Sequence, residues 1–364
     1  MGGCRSIGPF VFTSGASMHI AIFGAGSVGG YVGGLLAASG QDITLVDAWP
    51  QHVEAIRRQG LRLSGTQGAH TVSVEAYGIA DVQRLARKPV DVALLCVKSY
   101  DTAWMTALIK DYLAPSGYIV SMQNGMNEDV IASIVGWGRV VGCVLNTIGV
   151  EMTGPGEVMR WMEPAQTGYA VFRIGEIHGR VTQRAQALAS LLQSVDNATV
   201  TQNLWGERWS KLANNAMASA VGAIANVGMR EMFADPDLRR LSIRTVVETI
   251  RVGQGLGLEL EKICGMPASL WLDTVGSQRP DYGPVERGLA DFEKRIGALG
   301  QPSTLHDLRR GRRTEIDSIN GLVAKRATES GVPAPLHTAL TAIVKDVEAG
   351  RTPQGKAALA HFFA

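Results

Sequence analysis

A short glycine-rich run near the amino terminus has the residue types and the spacing that bind the phosphates of a dinucleotide. It follows the apolar segment 19–23 and consists of Gly24, Ala25, Gly26, Ser27, Val28 and Gly29. In such a motif Gly24 permits a tight turn, Gly26 lets the backbone approach the pyrophosphate, and Gly29 lets the following helix pack closely on the strand. The N-terminus of that helix offers free N–H groups to the phosphates. We predict a dinucleotide-binding cradle here; the alternative is a glycine-rich turn that binds nothing.

An acidic residue follows at the distance expected for a contact with the adenosine ribose. Asp47 ends the next apolar run, eighteen residues after Gly29. A carboxylate at this position accepts hydrogen bonds from the ribose hydroxyls and repels a 2′-phosphate, which favours NAD(H) over NADP(H). Arg57 or Arg58 could reverse that preference by folding back toward the ribose, but both fit better as exposed residues of a helix. NADP(H) therefore stays an open alternative.

The elements that would hold these residues are of two kinds, in two halves of the chain. In the first half, short apolar runs alternate with helical patterns, which predicts a parallel sheet covered on both faces. The expected strands are 19–23, 42–46, 91–97, 118–121 and 140–145, and the expected helices are 28–39 and 51–59. After about residue 195, long helical patterns dominate instead, at 205–227, 239–256, 314–330 and 336–349. We predict an α/β chain with a Rossmann domain at 18–200 and an all-helical substrate and catalytic domain at 201–364.

Composition limits the remaining possibilities. The net charge of this 364-residue chain is +2, with no clustered basic tract, which argues against a nucleic-acid partner. The four cysteines lie far apart and show no metal-ligand spacing, so we expect a reducing cytoplasm and no metal site. No apolar run has the length of a membrane span. We expect residues 1–17 to be a disordered extension before Met18, although Gly2 with Ser6 also fits a lipid-attachment pattern.

Four further motifs, read in order along the chain, carry a resemblance to a known family. They are Cys96-Val97-Lys98-Ser99-Tyr100-Asp101-Thr102, Gln123-Asn124-Gly125-Met126, Trp209-Ser210-Lys211-Leu212-Ala213-Asn214-Asn215, and the pair 303–307 and 314–321, which reads STLHD and TEIDSING. Together they resemble the ketopantoate reductase (2-dehydropantoate 2-reductase) family over the chain from Met18 onward. The resemblance implies a Rossmann domain, a helical domain, and an active site in the cleft between them.

The resemblance also implies roles for individual residues. Lys211 matches the catalytic lysine, which donates a proton to the carbonyl oxygen, and Glu315 matches the acid that supports that lysine and the substrate. Asn124 matches a residue near the nicotinamide and the substrate, and Lys98 matches the lysine after the third Rossmann strand, on the cofactor side. Asn215, Ser219 and Ser303 match positions that contact substrate.

These residue types suit the implied reaction, although each has an ordinary structural alternative. Hydride transfer to a ketone leaves an alkoxide, so a cationic donor such as Lys211 stabilises the charge and delivers the proton. Lys211 and Asn215 are four residues apart and share one helix face. A lysine on a helix is usually solvated, however, and Glu315 could simply favour a helix N-terminus. His306 in the STLHD motif fits a structural role better than acid–base chemistry.

Three departures from the family pattern bear on the substrate. Ser219 stands where many members have a substrate-contacting asparagine, and Gly300 stands where another asparagine often occurs. The segment 267–299 is also longer than usual for the family, and it could cover or enlarge the pocket through new contacts or be ordinary packing. The candidate new contacts in it are Trp271, Arg279, Tyr282 and Phe292.

Three functions remain open from the sequence. The first is reduction of a 2-oxo acid, 2-dehydropantoate or a close relative, by a nicotinamide cofactor. The second is NAD-linked oxidation of a different, larger hydroxy acid by the same apparatus. The third, of another class, is a non-catalytic dinucleotide sensor, which would need neither Lys211 nor Glu315. The helices at 205–227 and 239–256 could form a homodimer surface or be buried within one chain.

Overall fold

The computed structural model describes residues 18–165, 169–276, 280–296 and 300–363. The extension predicted at 1–17 and the candidate contact Arg279 both lie outside these ranges. Across the described residues, no helix combines the length and the hydropathy needed to cross a bilayer.

Among the described residues of the amino-terminal half, twelve strands form two sheets. Their bounds are β1 His19–Phe23, β2 Asp42–Asp47, β3 Leu61–Gly65, β4 His70–Val72, β5 Glu75–Gly78, β6 Val90–Leu95, β7 Leu113–Ser121, β8 Val140–Leu145, β9 Val150–Gly154, β10 Glu157–Arg160, β11 Phe172–Glu176 and β12 Ala198–Val200. The large sheet has eight strands in the order β12-β11-β8-β7-β6-β1-β2-β5. All its pairs are parallel except β11 with β8, which run antiparallel.

Helices cover this sheet and connect its strands. The α-helices of this half are α1 Ser27–Ala38, α2 Pro50–Gln59, α3 Thr102–Ile109, α4 Glu128–Val135 and α5 Gln183–Leu192, with 3-10 turns at Ile79–Arg87, Ser99–Asp101, Lys110–Tyr112 and Trp137–Arg139. Strand β1 is buried throughout, because it lies in the sheet interior and is covered on both faces. From β1 the strand order runs outward through β2 and β5 on one side and through β6, β7 and β8 on the other. A ligand crevice is therefore expected where this order reverses, at the carboxyl ends of β1 and β6.

The second sheet was not expected from the sequence. It has four short strands in the order β4-β3-β10-β9, and it packs against α1. Strand β9 follows β8 of the large sheet, so the chain returns to the glycine turn from far along the sequence. The pairing of β10 with β3 joins residues almost one hundred positions apart, for example Glu157 with Arg62. Such a long-range pairing leaves no short-range periodic signal.

The carboxyl-terminal half is helical, as predicted. Its α-helices are α6 Leu204–Ala225, α7 Met229–Ala234, α8 Pro236–Gly255, α9 Ala268–Val275, α10 Gly283–Ile296, α11 Ser303–Arg309, α12 Asn320–Ser330 and α13 Pro335–Glu348, with 3-10 turns at Ile316–Ser318 and Lys356–Phe362. Helix α6 is the centre of this half, and α8, α11 and α13 pack around it. Helices α6 and α8 are thus largely buried within the chain, which was one of the two alternatives.

One sequence expectation in this half differs from the structure, and one open alternative gains support. The single helix predicted at 314–330 is a 3-10 turn followed by α12, with a break at Ile319 (φ −112°, ψ −92°). The segment 267–299 forms α9 and α10, which pack on α8 and α7. Trp271 is fully buried there, and Tyr282 and Phe292 pack against the same core. These three residues therefore support the packing alternative for the segment.

Candidate active site

The glycine turn has the geometry of a dinucleotide cradle. Gly24 has φ +93°, and a Cβ on it would lie 2.7 Å from the Val97 nitrogen at the end of β6. A Cβ on Gly29 would lie 2.0 Å from the Gly24 oxygen, so only glycine allows this approach of helix and strand. A Cβ on Gly26 would meet only the Met152 Cε at 3.9 Å. The turn is therefore closed toward the sheet and open above Gly26.

This open space fits the phosphates of a dinucleotide. No side chain caps the N-terminus of α1, so the N–H groups of its first turn are left for another acceptor. The helix dipole adds a partial positive charge at the same point. Of the residues between the glycines, Ala25 lies in the turn, and Ser27 and Val28 begin α1. The free N–H groups at the start of α1 suit an anionic pyrophosphate, and the first turn of α1 holds no acidic side chain that would repel it.

Asp47 lies at the carboxyl end of β2, beside the glycine turn. Its Oδ1 accepts a hydrogen bond from the Trp49 backbone nitrogen at 2.8 Å. Arg57 is bound to Asp81 at 2.5 Å and to the Ala76 oxygen at 2.7 Å, and Arg58 is exposed. Neither arginine is held next to Asp47 by a hydrogen bond or an ion pair in the described structure.

One face of α6 meets the loop that follows β7. The guanidinium of Arg208 donates to the backbone oxygens of Ser121 and Gln123 at 2.7 and 2.8 Å. Two turns later, Asn215 donates from its Nδ2 to the Asn124 Oδ1 at 3.1 Å. Lys211 is three residues after Arg208 and four before Asn215, so it shares their face. The Lys211 side chain therefore lies on the side of α6 that faces the carboxyl ends of the sheet strands.

Lys211 is a partly exposed lysine whose pKa is nevertheless perturbed. Burial lowers the pKa of this lysine from 10.5 to about 8, and only a weak influence of Cys264 opposes it. No hydrogen bond or ion pair joins the Lys211 side chain to another described residue. The Lys211 side chain is therefore only partly accessible, and the protein around it disfavours the charged form of its ammonium group.

The Cys264 thiol belongs to the same surroundings. It donates to the Asn214 Oδ1 at 3.3 Å, and its own backbone has φ +54° in a tight turn before Gly265.

Lys98 joins the two halves of the chain through two carboxylates. Its Nζ lies 2.6 Å from Asp307 Oδ2 and 3.3 Å from Glu315 Oε2, and Glu315 Oε1 accepts hydrogen bonds from the backbone nitrogen and the hydroxyl of Ser99 at 2.9 and 3.0 Å. Burial alone would lower the pKa of Lys98, but the two negative charges outweigh it and raise that pKa. Burial raises the pKa of Asp307, and Lys98 only partly offsets this effect. Both results follow from one ammonium group shared by two buried carboxylates.

This cluster gives Glu315 and Lys98 partners that the sequence did not predict. Glu315 was expected to support Lys211, but its two carboxylate oxygens are bound by Lys98 and Ser99. The physical reason is that Glu315 is 5 % exposed, so its charge needs the nearest cation, and Lys98 is that cation. Lys98 was expected to face the cofactor, but its ammonium is directed across the cleft to Asp307 and Glu315. Its assignment as a cofactor contact stays a prediction.

The two serines assigned to substrate lie in different environments. Ser219, two turns beyond Lys211 on α6, is 3 % exposed. Ser303 begins α11 and is exposed, whereas the next residue, Thr304, is buried with its Oγ1 unpartnered among the described residues. Substrate contact by Ser219 and Ser303 therefore rests on the resemblance.

Sequence reasoning missed two residues that organise the site. Arg208 forms a buried ion pair with Glu128 at 2.5 Å besides holding the loop after β7. Asp307 is the last residue of the STLHD motif, and it binds Lys98. The signal for Asp307 was present, because an acid stood in a quoted motif beside His306. Arg208 directly precedes the WSKLANN motif, but nothing in the sequence shows that its partners lie after β7.

Comparison with known proteins identifies the family. The family model described as ketopantoate reductase PanE/ApbA matches residues 20–179, and the model of its C-terminal part matches residues 203–348. The chain belongs to the ketopantoate reductase family. The resemblance stated from the sequence is thereby confirmed, and so is the fold class that it implied.

Individual members of the ketopantoate reductase family match over nearly their whole length. A 2-dehydropantoate 2-reductase of Pyrococcus abyssi is 29% identical over 334 residues, which cover 91% of this chain and 98% of the relative. The protein of the same name from Archaeoglobus fulgidus is 28% identical over 334 residues, with the same coverage of 91% and 98%. A crystal structure of a PanE/ApbA family ketopantoate reductase from Ralstonia eutropha has a TM-score of 0.74 and 29% identity, and it covers 92% of this chain and 99% of that chain.

A structure of D-mandelate dehydrogenase with NADH and anilino(oxo)acetate shares the fold of the ketopantoate reductase family. It has a TM-score of 0.74 with 22% identity, and it covers 92% of this chain and 99% of that chain.

Proposed function

We propose that this member of the family transfers a hydride between a nicotinamide cofactor and a small 2-oxo or 2-hydroxy acid, with 2-dehydropantoate or a close relative as the substrate. The observation that carries the proposal is Lys211: a desolvated cation without a partner among the described residues, on the helix face that binds the Asn124 loop. A desolvated cation costs stability, and a substrate carbonyl oxygen or carboxylate would be its partner.

Lys211 is the proton donor in this proposal. The bound nicotinamide supplies the hydride to the carbonyl carbon. As negative charge develops on the carbonyl oxygen, the Lys211 Nζ stabilises it and delivers a proton to it. The reverse reaction needs the neutral amine to accept that proton. A lysine with a pKa of about 8 holds both forms near neutral pH, and either direction can therefore be served.

The asparagines orient the substrate. The Asn124–Asn215 hydrogen bond joins the Rossmann half to the helical half one turn beyond Lys211, so both amides lie beside the reacting atoms. Because Asn124 Oδ1 already accepts from Asn215, the Asn124 amide nitrogen remains to donate to a ligand. Glu315 and Asp307 act through Lys98 in this proposal: they fix the ammonium at the wall of the cleft.

NAD(H) is the proposed cofactor. Asp47 uses one oxygen for the Trp49 backbone, and its other oxygen is available to a ribose hydroxyl. Arg57, one of the two arginines that could favour a 2′-phosphate, is bound to Asp81 and Ala76. These contacts support NAD(H), and NADP(H) is the alternative.

A second candidate function is oxidation of a larger 2-hydroxy acid with NAD. It is favoured by Ser219, which is smaller than the asparagine common at this position in the family and removes one amide that would read a polar substrate. The non-catalytic sensor is disfavoured, because a sensor has no use for a desolvated Lys211.

The experiment is an absorbance assay at the NADH band with a panel of acids, for the wild type and for Lys211→Ala. We expect turnover of NADH with 2-dehydropantoate or another branched 2-oxo acid, and loss of about 10² or more in kcat for the variant. Turnover only with phenylglyoxylate, or only of mandelate with NAD, would favour the second candidate. Tight cofactor binding with no turnover of any acid would favour the non-catalytic dinucleotide sensor instead.

A further inference from the structure

A buried histidine links the segments that surround the glycine turn. His52 lies on α2 and is 0 % exposed. Its Nε2 is 2.9 Å from the Ala25 oxygen inside the glycine turn, and its Nδ1 is 2.8 Å from the Gly156 nitrogen in the turn between β9 and β10. No part of the mechanism above uses this side chain.

The two partners determine which form of the ring is present. The Gly156 N–H is a donor, so Nδ1 must accept; the Ala25 carbonyl is an acceptor, so Nε2 must carry the hydrogen and donate it. Only the neutral Nε2–H tautomer satisfies both contacts at once. His52 is thus a two-sided link between α2, the glycine turn and the β9–β10 turn.

The elements that His52 joins are those that shape the cradle. The Met152 backbone nitrogen on β9 donates to the Ser27 Oγ at 3.1 Å, and the Met152 Cε faces the open side of Gly26. On the other side, the Trp49 ring stacks on His52 with centroids 5.7 Å apart, and the Trp49 nitrogen donates to Asp47. The histidine therefore lies between the proposed phosphate contacts and the proposed ribose contact.

We propose that His52 is a positioning residue for the cofactor, and this proposal rests on the proposed function. The Ala25 carbonyl and the Gly26 N–H belong to one planar trans peptide, so they point in opposite directions. By holding the carbonyl, His52 fixes the direction of the Gly26 N–H, for which no described residue is an acceptor. That N–H then points into the open space above the turn before the pyrophosphate arrives, and preorganisation of this kind strengthens binding without a contact to the ligand.

The test measures cofactor affinity directly, by titrating the fluorescence of NADH and, in parallel, NADPH. Variants are His52→Leu, which removes both contacts, and His52→Gln, whose amide has one donor and one acceptor. The matched control is His19→Leu. His19 is also a buried histidine of the amino-terminal half, 2 % exposed, but its ring contacts Thr44 and Pro89, away from the glycine turn.

We expect His52→Leu to raise the Kd of the preferred cofactor about tenfold, the scale of one buried hydrogen bond lost. The KM for the cofactor should rise likewise, whereas kcat at saturating cofactor should fall less than about threefold, because the chemistry lies elsewhere. His52→Gln should recover most of the affinity. His19→Leu should lower the melting temperature comparably but leave the Kd unchanged.

Equal losses of affinity in His52→Leu and His19→Leu, or a wild-type Kd in His52→Leu, would overturn the positioning role while leaving the proposed function intact. If His52→Leu does not fold, His52→Asn replaces it, since its shorter amide can accept from Gly156 but cannot reach Ala25. Failure of the wild type to bind either cofactor would instead overturn the proposed function.

Discussion

The pH dependence of turnover should follow the protonation state of Lys211. Reduction needs the Lys211 ammonium, and burial lowers the pKa of that group to about 8. With the cofactor saturating, kcat/KM for the 2-oxo acid should be flat below about pH 7 and fall about tenfold per pH unit above about pH 8.5, as the proton donor is lost. Oxidation of the hydroxy acid should follow the opposite course, because it needs the neutral amine.

Removal of the Lys211 charge should also stabilise the folded protein. A pKa near 8 in the folded chain, against 10.5 in the unfolded chain, means that the unfolded state binds the proton more tightly. The free energy of unfolding should therefore rise with pH between about 8 and 10.5, and below pH 8 the buried ammonium carries its full cost. The upper limit of that cost is about 3 kcal/mol. Since Lys211 is partly exposed, we expect Lys211→Met to stabilise the protein at pH 7 by about 1–2 kcal/mol.

The assay combines stopped-flow turnover from pH 6 to 10 with urea unfolding at pH 7. Lys325→Met on α12 is the control, since Lys325 is an exposed helix lysine and its loss should change neither measurement. Lys211→Met should lower kcat by about 10² or more and lose the inflection near pH 8. The reasoning would be refuted by wild-type kcat/KM that stays flat to pH 10, or by an inflection that survives in Lys211→Met.

Three further changes test the remaining parts of the site. Asp47→Ala should raise the ratio of kcat/KM for NADPH to that for NADH about tenfold, as expected for removing one close charge repulsion, and an unchanged ratio would contradict the ribose contact. Gly29→Ala should abolish cofactor binding and lower the free energy of unfolding by about 1–3 kcal/mol, because the new Cβ would lie 2.0 Å from the Gly24 oxygen. Gly78→Ala is the control, since a Cβ there would meet nothing within 4 Å. Equal effects of the two substitutions would contradict the role of the glycine turn. Asp307→Asn should lower the pKa of Lys98, because one of the two carboxylates that raise it is lost, whereas Asp317→Asn at the exposed Lys345 pair should leave the Lys98 pKa unchanged. NMR titration that finds the Lys98 pKa alike in the two variants would argue against the Lys98 ion pair.

Local patterns predicted the parts of the fold that depend on local physics. Strands β1 and β8 begin and end where their buried apolar runs do, and the glycine turn between β1 and α1 follows from residue types alone. Helix α6 is likewise predicted to within two residues at each end, because its small apolar residues recur over its whole length.

The second sheet and the contacts of the site could not be read in this way. Residues of β3 and β10 come together from positions almost one hundred apart, and neither strand has a long apolar run. Glu315 and Lys98 were both singled out from their motifs, but their pairing depends on how α11 and the following 3-10 turn lie against β6. Similarly, His52 lies in an ordinary helical pattern, and its role follows only from the Gly156 turn that reaches it from another sheet.

Transfer of deuterium from cofactor to product tests the central claim most directly. The wild type is incubated with NADH deuterated at C4 and with 2-dehydropantoate, and the hydroxy acid is analysed by mass spectrometry. The account predicts one deuterium bound to C2 of the hydroxy acid when one of the two C4-labelled epimers is used, and about a hundredfold less deuterated product from Lys211→Ala over the same time. A hydroxy acid formed without deuterium from either epimer, or formed equally by Lys211→Ala, would contradict it.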